Sequence, residues 1–127
     1  MDRMLHLLHI PQHSILCGHF NAHHSLWNSA VHHHIRGDVL VEWFRANNCD
    51  LVNQPDISTY NNRHGSGSSI LDLKLATQDI FDRVVDWTVD HDAHTGSDHE
   101  VVIIIIIMYH YAYGARLAMK RQLTYMI

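Results

Sequence analysis

The chain has 127 residues, of which 46% are hydrophobic and 17% charged, a balance typical of a globular protein rather than a disordered one. Its formal net charge of −4 excludes a generally basic surface, so contact with nucleic acid would need a local positive patch or a metal ion. The two cysteines are too few for a disulfide framework, and the most apolar run, Val101–Met108, is too short to cross a membrane. We therefore expect an intracellular domain without membrane contact.

Hydrophobic periodicity and turn residues divide the chain into alternating helices and strands. Apolar residues at helical spacing mark helices, short apolar runs or alternation mark strands, and clusters of Gly, Ser and Asn mark loops. In chain order the predicted elements are a helix at Asp2–His9, a strand at Ser14–Cys17, a loop at Gly18–Ser29, a helix at Gly37–Asn47, a strand at Leu51–Val52, a loop at Asn61–Ser69, a strand at Ile70–Ala76, a helix at Thr77–Val84, a strand at Val85–Val89, a loop at His91–Glu100, a strand at Val101–Tyr109 and a tail helix at Ala115–Leu123. This alternation, without an internal repeat, predicts an α/β domain with a mixed sheet.

The strand Ile70–Ala76 has alternating side chains. Ile70, Asp72 and Lys74 are predicted to face one way and the intervening leucines the other, which indicates one apolar face and one exposed face. Thr77 follows as a suitable N-cap for the next helix.

Three separated polar segments lie at strand ends or on a strand face, where open α/β sheets build their sites. They read Gly-His-Phe-Asn-Ala-His-His from Gly18, Ser-Ile-Leu-Asp-Leu from Ser69, and Gly-Ser-Asp-His from Gly96. Taken singly, each segment also has a purely structural interpretation, as a turn, an outward-facing strand residue or a solvated loop.

In this order, the three segments resemble the endonuclease/exonuclease/phosphatase superfamily. Asn-Ala-His-His from Asn21 with Trp27, Gly-Ser-Ser-Ile-Leu-Asp-Leu from Gly67 and Gly-Ser-Asp-His from Gly96 look specifically like the endonuclease of non-LTR retrotransposons. The similarity covers Met4–Val102. It implies the C-terminal half of a four-layer α/β sandwich, a mixed sheet with flanking helices, in which residues 1–110 form a partial domain and residues 111–127 a divergent tail.

The resemblance implies an enzyme that nicks DNA by phosphodiester hydrolysis with Mg²⁺ or Mn²⁺, in the nucleus if it is functional. In this family a His–Asp pair acts on the attacking water, and His99 and Asp72 occupy those positions. A carboxylate beside an imidazole fixes its tautomer and stabilises the imidazolium. Asn21 would donate to the scissile phosphate, and Asp98 would bind the metal or orient the site.

Two departures from the family pattern predict impaired activity. The first motif normally reads Gly-Asp-Phe-Asn, and His19 stands at the Asp position, which removes a carboxylate from the metal region. The resemblance also places the family's N-terminal half, with a metal-binding Glu, outside this chain. The faces of Ser14–Cys17, Leu71–Leu75 and Val101–Ile107 would then have nothing to pack against, and the missing half or self-association would cover them.

Two other interpretations stay open. A non-catalytic pseudoenzyme would bind nucleic acid or protein through its exposed sheet, which the acidic balance and the missing half favour. A histidine-rich metal-binding protein is the second, because five of the 14 histidines crowd at positions 23, 24, 32, 33 and 34. Zinc sites usually pair their ligands at turn-defined spacing, often with Cys, whereas adjacent histidines point in different directions.

Overall fold

The computed structural model describes residues 5–32, 34–62, 64–65, 67–93, 96–112 and 115–125. The elements are β1 at Ile15–His19, α1 at Ile35–Ala46, β2 at Cys49–Leu51, β3 at Tyr60–Asn61, β4 at Ser68–Ser69, β5 at Asp72–Thr77, α2 at Gln78–Phe81, β6 at Val84–Asp90, β7 at Val101–Ala112 and β8 at Ala115–Tyr125. Several sheets with few helices make this a mixed α/β fold, as the sequence predicts, although the strand pairings within the described residues are all antiparallel rather than mixed. Within the described ranges, every helix is too short or too polar to span a bilayer.

The first sheet has three antiparallel strands in the order β1-β5-β2, with β5 at its centre. Leu73 and Leu75 of β5 are fully buried in an apolar cluster that includes residues of α1. Regular pairing begins only at Asp72, so the alternation predicted from Ile70 is out of phase at its start. Ile70 packs in the same cluster as Leu73 and Leu75 because the two residues before Asp72 are not in strand conformation.

Helix α1 covers the apolar face of this sheet. Leu40, Val41 and Phe44 recur at helical spacing and are buried, which explains the helix and its orientation. Gly37 is required where α1 passes the preceding loop, because a Cβ atom there would lie 1.9 Å from the backbone oxygen of His23. The predicted helix Gly37–Asn47 is confirmed and begins two residues earlier, at Ile35.

The second sheet, β6-β7-β8, packs against the other face of β5. Ala76 of β5 shares a buried cluster with Trp87 of β6 and with Val102 and Ile104 of β7. The expectation that these sheet faces have nothing to pack against is therefore wrong for β5 and for one face of β7, whereas residues 14–17 and the alternate isoleucines of β7 are only half-buried. Strand β7 lies between β6 and β8, so its isoleucine run is central rather than at an edge.

Several predicted elements differ in the structure. Residues 115–125 form strand β8 rather than a tail helix, because pairing with the strongly β-forming β7 overrides the helix propensity of Ala, Leu, Lys and Gln. The helix after Thr77 ends at Phe81, and the 61–69 loop contains the paired strands β3 and β4. Residues 2–4 of the first predicted helix lie outside the described residues, and residues 6–9 form a turn and irregular backbone. Strand β7 crosses residue 110, and the boundary placed there stays a prediction.

Candidate active site

His19 and Asp72 stand opposite each other at one end of the first sheet. They are register partners in the antiparallel pairing of β1 with β5, and directly paired residues project to the same face. The Nδ1 atom of His19 lies 2.9 Å from Oδ1 of Asp72. The Asp72 carboxylate is buried, whereas 36% of the His19 side chain is exposed. Strand pairing thus holds an imidazole against a buried carboxylate.

His99 reaches the same carboxylate from the loop before β7. Its Nδ1 atom lies 2.6 Å from Oδ2 of Asp72, and 23% of its side chain is exposed. A β-bridge to Tyr60 and a hydrogen bond of 2.9 Å from the backbone N–H of Glu100 to the oxygen of Thr59 hold the loop in place. An ionised carboxylate only accepts hydrogen bonds, so these two contacts require each imidazole to carry a proton on Nδ1, and a neutral ring in that tautomer keeps Nε2 as an acceptor.

Two buried polar side chains fix the backbone around Asp72. The hydroxyl oxygen of Thr59 accepts hydrogen bonds from the N–H groups of Leu71 at 3.3 Å and Asp72 at 3.1 Å. The amide of Asn53 donates to the backbone oxygen of Asp72 at 3.0 Å and accepts from the N–H of Lys74 at 2.7 Å. Asn53 therefore continues the pairing to β5 past the end of β2, and the first residues of β5 have little freedom to move.

Lys74 brings a buried cation beside the carboxylate. It lies two residues along β5 from Asp72, and only 1% of it is exposed. Burial lowers the pKa of the Lys74 ammonium, and electrostatic interactions with Cys17 and Asp72 partly oppose that shift. Burial likewise raises the pKa of the Cys17 thiol. The structural interpretation of Asp72 as an outward-facing residue on an exposed strand face is thus wrong, since Asp72 and Lys74 are each only 1% exposed.

Tyr60 is a residue of the site that sequence reasoning missed. Its ring centroid lies 5.3 Å from that of His99 and 6.4 Å from that of His19, both in edge-on geometry. Its hydroxyl donates to Oδ2 of Asp98 at 3.4 Å. No motif includes Tyr60, and only its bridge to His99 across the fold reveals it.

The other two predicted site residues flank this cluster. Asn21 is exposed, two residues past His19, with φ 47°, in the left-handed region that Asn tolerates better than most residues. Asp98 is adjacent to His99, and its carboxylate is engaged by Tyr60. The structure therefore brings His19, Asp72 and His99 into direct contact, with Asp98 beside them. The roles predicted for all five residues stay predictions.

The contacting side chains also form a group able to hold a metal ion. One ligand atom from each of His19, Asp72 and His99 lies within 4.8 Å of the others, and no second such group is found in the part of the chain that the structure describes. The crowded histidines at 23–34 are not brought into such a group there. His24, for example, accepts from the backbone N–H of Leu26 at 2.9 Å and approaches Asp38 at 3.3 Å, which is a local structural role. His33 lies outside the described residues.

The motif order and this geometry agree with comparisons to known proteins. A family model described as endonuclease-reverse transcriptase matches residues 1–103. The chain belongs to this family. A search of curated proteins finds no match.

Among solved structures, the chain is similar to the endonuclease domain of TRAS1, a telomere-specific non-LTR retrotransposon, with 30% sequence identity and a TM-score of 0.58. The similarity covers 68% of this chain and 39% of the TRAS1 chain. The predicted membership among retrotransposon endonucleases is confirmed, and family and fold are both of nuclease type. The four-layer arrangement stays a prediction.

Proposed function

We propose that this chain carries a nuclease-type site that hydrolyses phosphodiester bonds in DNA, with activity weakened by His19. The observation that supports the proposal most directly is the contact of 2.6 Å between Nδ1 of His99 and the buried carboxylate of Asp72. A histidine oriented in this way is suited to acid–base chemistry, because its second nitrogen can take a proton. DNA as substrate follows from the family, and a nuclear location would follow from that substrate.

His99 acts as the base in this proposal. Its partial exposure lets a water molecule approach Nε2, while Nδ1 stays bonded to Asp72. When the ring takes a proton from that water, the Asp72 carboxylate stabilises the resulting imidazolium. Asn21 donates from its side-chain amide to the phosphate, which stabilises developing charge without ionisation. Asp98 orients the site or contributes an oxygen ligand.

His19 weakens this chemistry in two ways. It occupies Oδ1 of Asp72, so one carboxylate serves two imidazoles. It also replaces a carboxylate of the family motif with a nitrogen donor, which lowers the negative charge available to a hard cation. The first effect acts on the His99–Asp72 pair and the second on metal binding, and neither acts on the fold.

The family implies Mg²⁺ or Mn²⁺, which when bound would neutralise charge on the phosphate. The metal-capable group formed by His19, Asp72 and His99 does not fit Mg²⁺ well, because two of its three donors are nitrogen and Mg²⁺ prefers oxygen. Asp98 is the nearby oxygen donor that suits it better. We therefore assign no step of the reaction to the ion.

A plasmid-nicking assay with Mg²⁺ or Mn²⁺ tests the proposal. We expect slow nicking by the native chain and a gain on the order of 10² in rate for His19→Asp, the effect of restoring a positioned carboxylate. Adding His99→Ala to His19→Asp should remove that gain. The exposed His64 lies outside the cluster, so His64→Ala serves as the matched control and should leave the rate unchanged.

The outcomes separate an enzyme from a binding module. Nicking that survives His99→Ala, or a His19→Asp variant no faster than the native chain, would contradict the proposed roles. DNA binding that needs no metal, with nicking by none of the variants, would instead support the non-catalytic interpretation.

A further inference from the structure

The donors around Asp72 match a different class of metal ion from the one that the family implies. Two imidazoles and one carboxylate converge, with ligand atoms within 4.8 Å of one another. Imidazole suits Zn²⁺ and similar transition metals, whereas Mg²⁺ takes oxygen ligands. Three protein ligands of the two-His, one-carboxylate type, with an open fourth position, are a recurrent zinc arrangement.

The positions of these donors are close to what a tetrahedral ion requires. At Zn–N distances of 2.0–2.1 Å, tetrahedral ligand atoms lie roughly 3.3 Å apart. The Nδ1 atoms of His19 and His99 lie 2.9 Å and 2.6 Å from different oxygens of Asp72, and one ligand atom from each residue lies within 4.8 Å of the others, so small side-chain movements would bring the three onto one ion. Asp72 is fixed by its buried backbone bonds, while His19 is partly exposed and can turn towards an ion. Solvent access at both histidines leaves the fourth position to water.

We infer that His19, Asp72 and His99 bind one Zn²⁺ or a similar nitrogen-preferring divalent ion per chain. His19 decides the selectivity, because it replaces the oxygen donor of the family motif with nitrogen. The site is therefore specific to a chain with His at this position.

Zn²⁺ at this site excludes the reaction that we propose for His99, and this consequence rests on the proposed function. A metal on Nδ1 of His99 displaces the proton there and leaves Nε2 protonated, so the ring no longer accepts a proton from water. It also takes Asp72 away from its role beside the imidazolium. Zn²⁺ therefore inhibits hydrolysis at the cluster instead of supporting it.

Direct metal titration tests the binding without any assay of activity. The full chain, freed of metal with a chelator, is titrated with ZnCl₂ by calorimetry and with CoCl₂ by visible absorption, since tetrahedral Co²⁺ absorbs strongly. We expect one tight Zn²⁺ per chain, with Mg²⁺ bound far more weakly. His19→Gln and His99→Gln should each weaken Zn²⁺ binding at least about tenfold and remove the Co²⁺ bands. His19→Asp should weaken Zn²⁺ and strengthen Mn²⁺ binding.

His64→Gln is the control for the remaining histidines and should bind Zn²⁺ like the native chain. Circular dichroism identifies variants that keep the fold, and His19→Asp provides a second substitution at the same exposed position. If folded His19→Gln and His99→Gln bind Zn²⁺ as the native chain does, the ion lies elsewhere and the inference is wrong. Zn²⁺ binding that depends on His19, in a chain whose variants never nick DNA, would instead retain the metal site and reject the proposed hydrolysis.

Discussion

The two faces of β5 are equally buried and chemically opposite. Leu73 and Leu75 pack on the α1 side among apolar residues, whereas Asp72 and Lys74 on the other face are each only 1% exposed. Burying apolar surface stabilises a fold, at about 25 cal/mol per Å². Burying charges costs several kcal/mol per ion before pairing offsets it. One face therefore holds the domain together, and the other maintains a site at the expense of stability.

The polar face is nevertheless well ordered. Both oxygens of Asp72 are hydrogen-bonded, its backbone is fixed on both sides, and Lys74 supplies a nearby positive charge. Perturbed and buried titratable groups of this kind concentrate at functional sites. The buried and fully hydrogen-bonded carboxylate of Asp72 distinguishes this cluster from an ordinary exposed group of histidines.

The largest expected effect is on the apolar face. Leu75→Ala removes a fully buried side chain under α1 and should lower the free energy of unfolding by about 2–5 kcal/mol. Leu75 packs only in the apolar cluster, away from the three metal-ligand residues, so the Zn²⁺ affinity of the folded protein should not change. Urea unfolding measures the first quantity and calorimetry the second. A lost metal site in folded Leu75→Ala would show that the two faces are coupled.

Next to the polar face, Thr59→Val should lower the stability of the fold and loosen the position of Asp72. The substitution keeps the shape but removes the acceptor for the N–H groups of Leu71 and Asp72. Leaving buried donors unpaired costs about 1–3 kcal/mol. Thr59→Ser keeps the hydroxyl and should restore the bonds, so it is the matched control. Equal urea midpoints for the Val and Ser variants would rule out a role for this hydroxyl.

The apolar face was the more predictable of the two. Apolar residues at helical spacing predict α1, and the alternation of Leu73 and Leu75 predicts which side of β5 meets it. Motif order placed Asp72 and His99 in one site, although they belong to different elements. The helix and strand patterns are local in the sequence, and the site was predicted from the resemblance to a family.

What the sequence did not predict depends on long-range packing. Lys74 is only 1% exposed, and no local signal distinguishes this lysine from a solvated one. Tyr60 enters the site through its bridge to His99 and its hydrogen bond to Asp98, which are long-range contacts. Strand β8 forms because β7 is available as a partner, although its own residues favour a helix.

The buried Lys74 should give a smaller effect that depends on pH. Its pKa in the folded chain lies below the ordinary value of 10.5 that applies in the unfolded chain, so between these two values the unfolded chain binds more protons. Stability attributable to Lys74 therefore rises with pH in that window, by up to about 1.4 kcal/mol per pH unit. Lys74→Met lacks the group and should lack this rise. Urea unfolding from pH 8 to 10.5 compares the two chains, and identical slopes would mean that Lys74 is solvated.

Substitution of Asp79 should have the smallest effect on stability. Its carboxylate is more exposed than that of Asp72, so the two can be compared. Hydrogen bonds from the Thr77 hydroxyl and, as a smaller cause, from His13 hold the pKa of the Asp79 carboxyl at about 2, below its ordinary value of 3.8. Since the folded-state pKa is depressed, this contribution to stability is present above pH 3.8 and disappears as the pH falls towards 2. Asp79→Asn should lower Tm slightly at pH 6 and by less at pH 2, where about half of the folded-state carboxyl is already protonated. Because solvent screens this pair, a loss comparable to that of Leu75→Ala would contradict the distinction between exposed and buried groups on which the comparison depends.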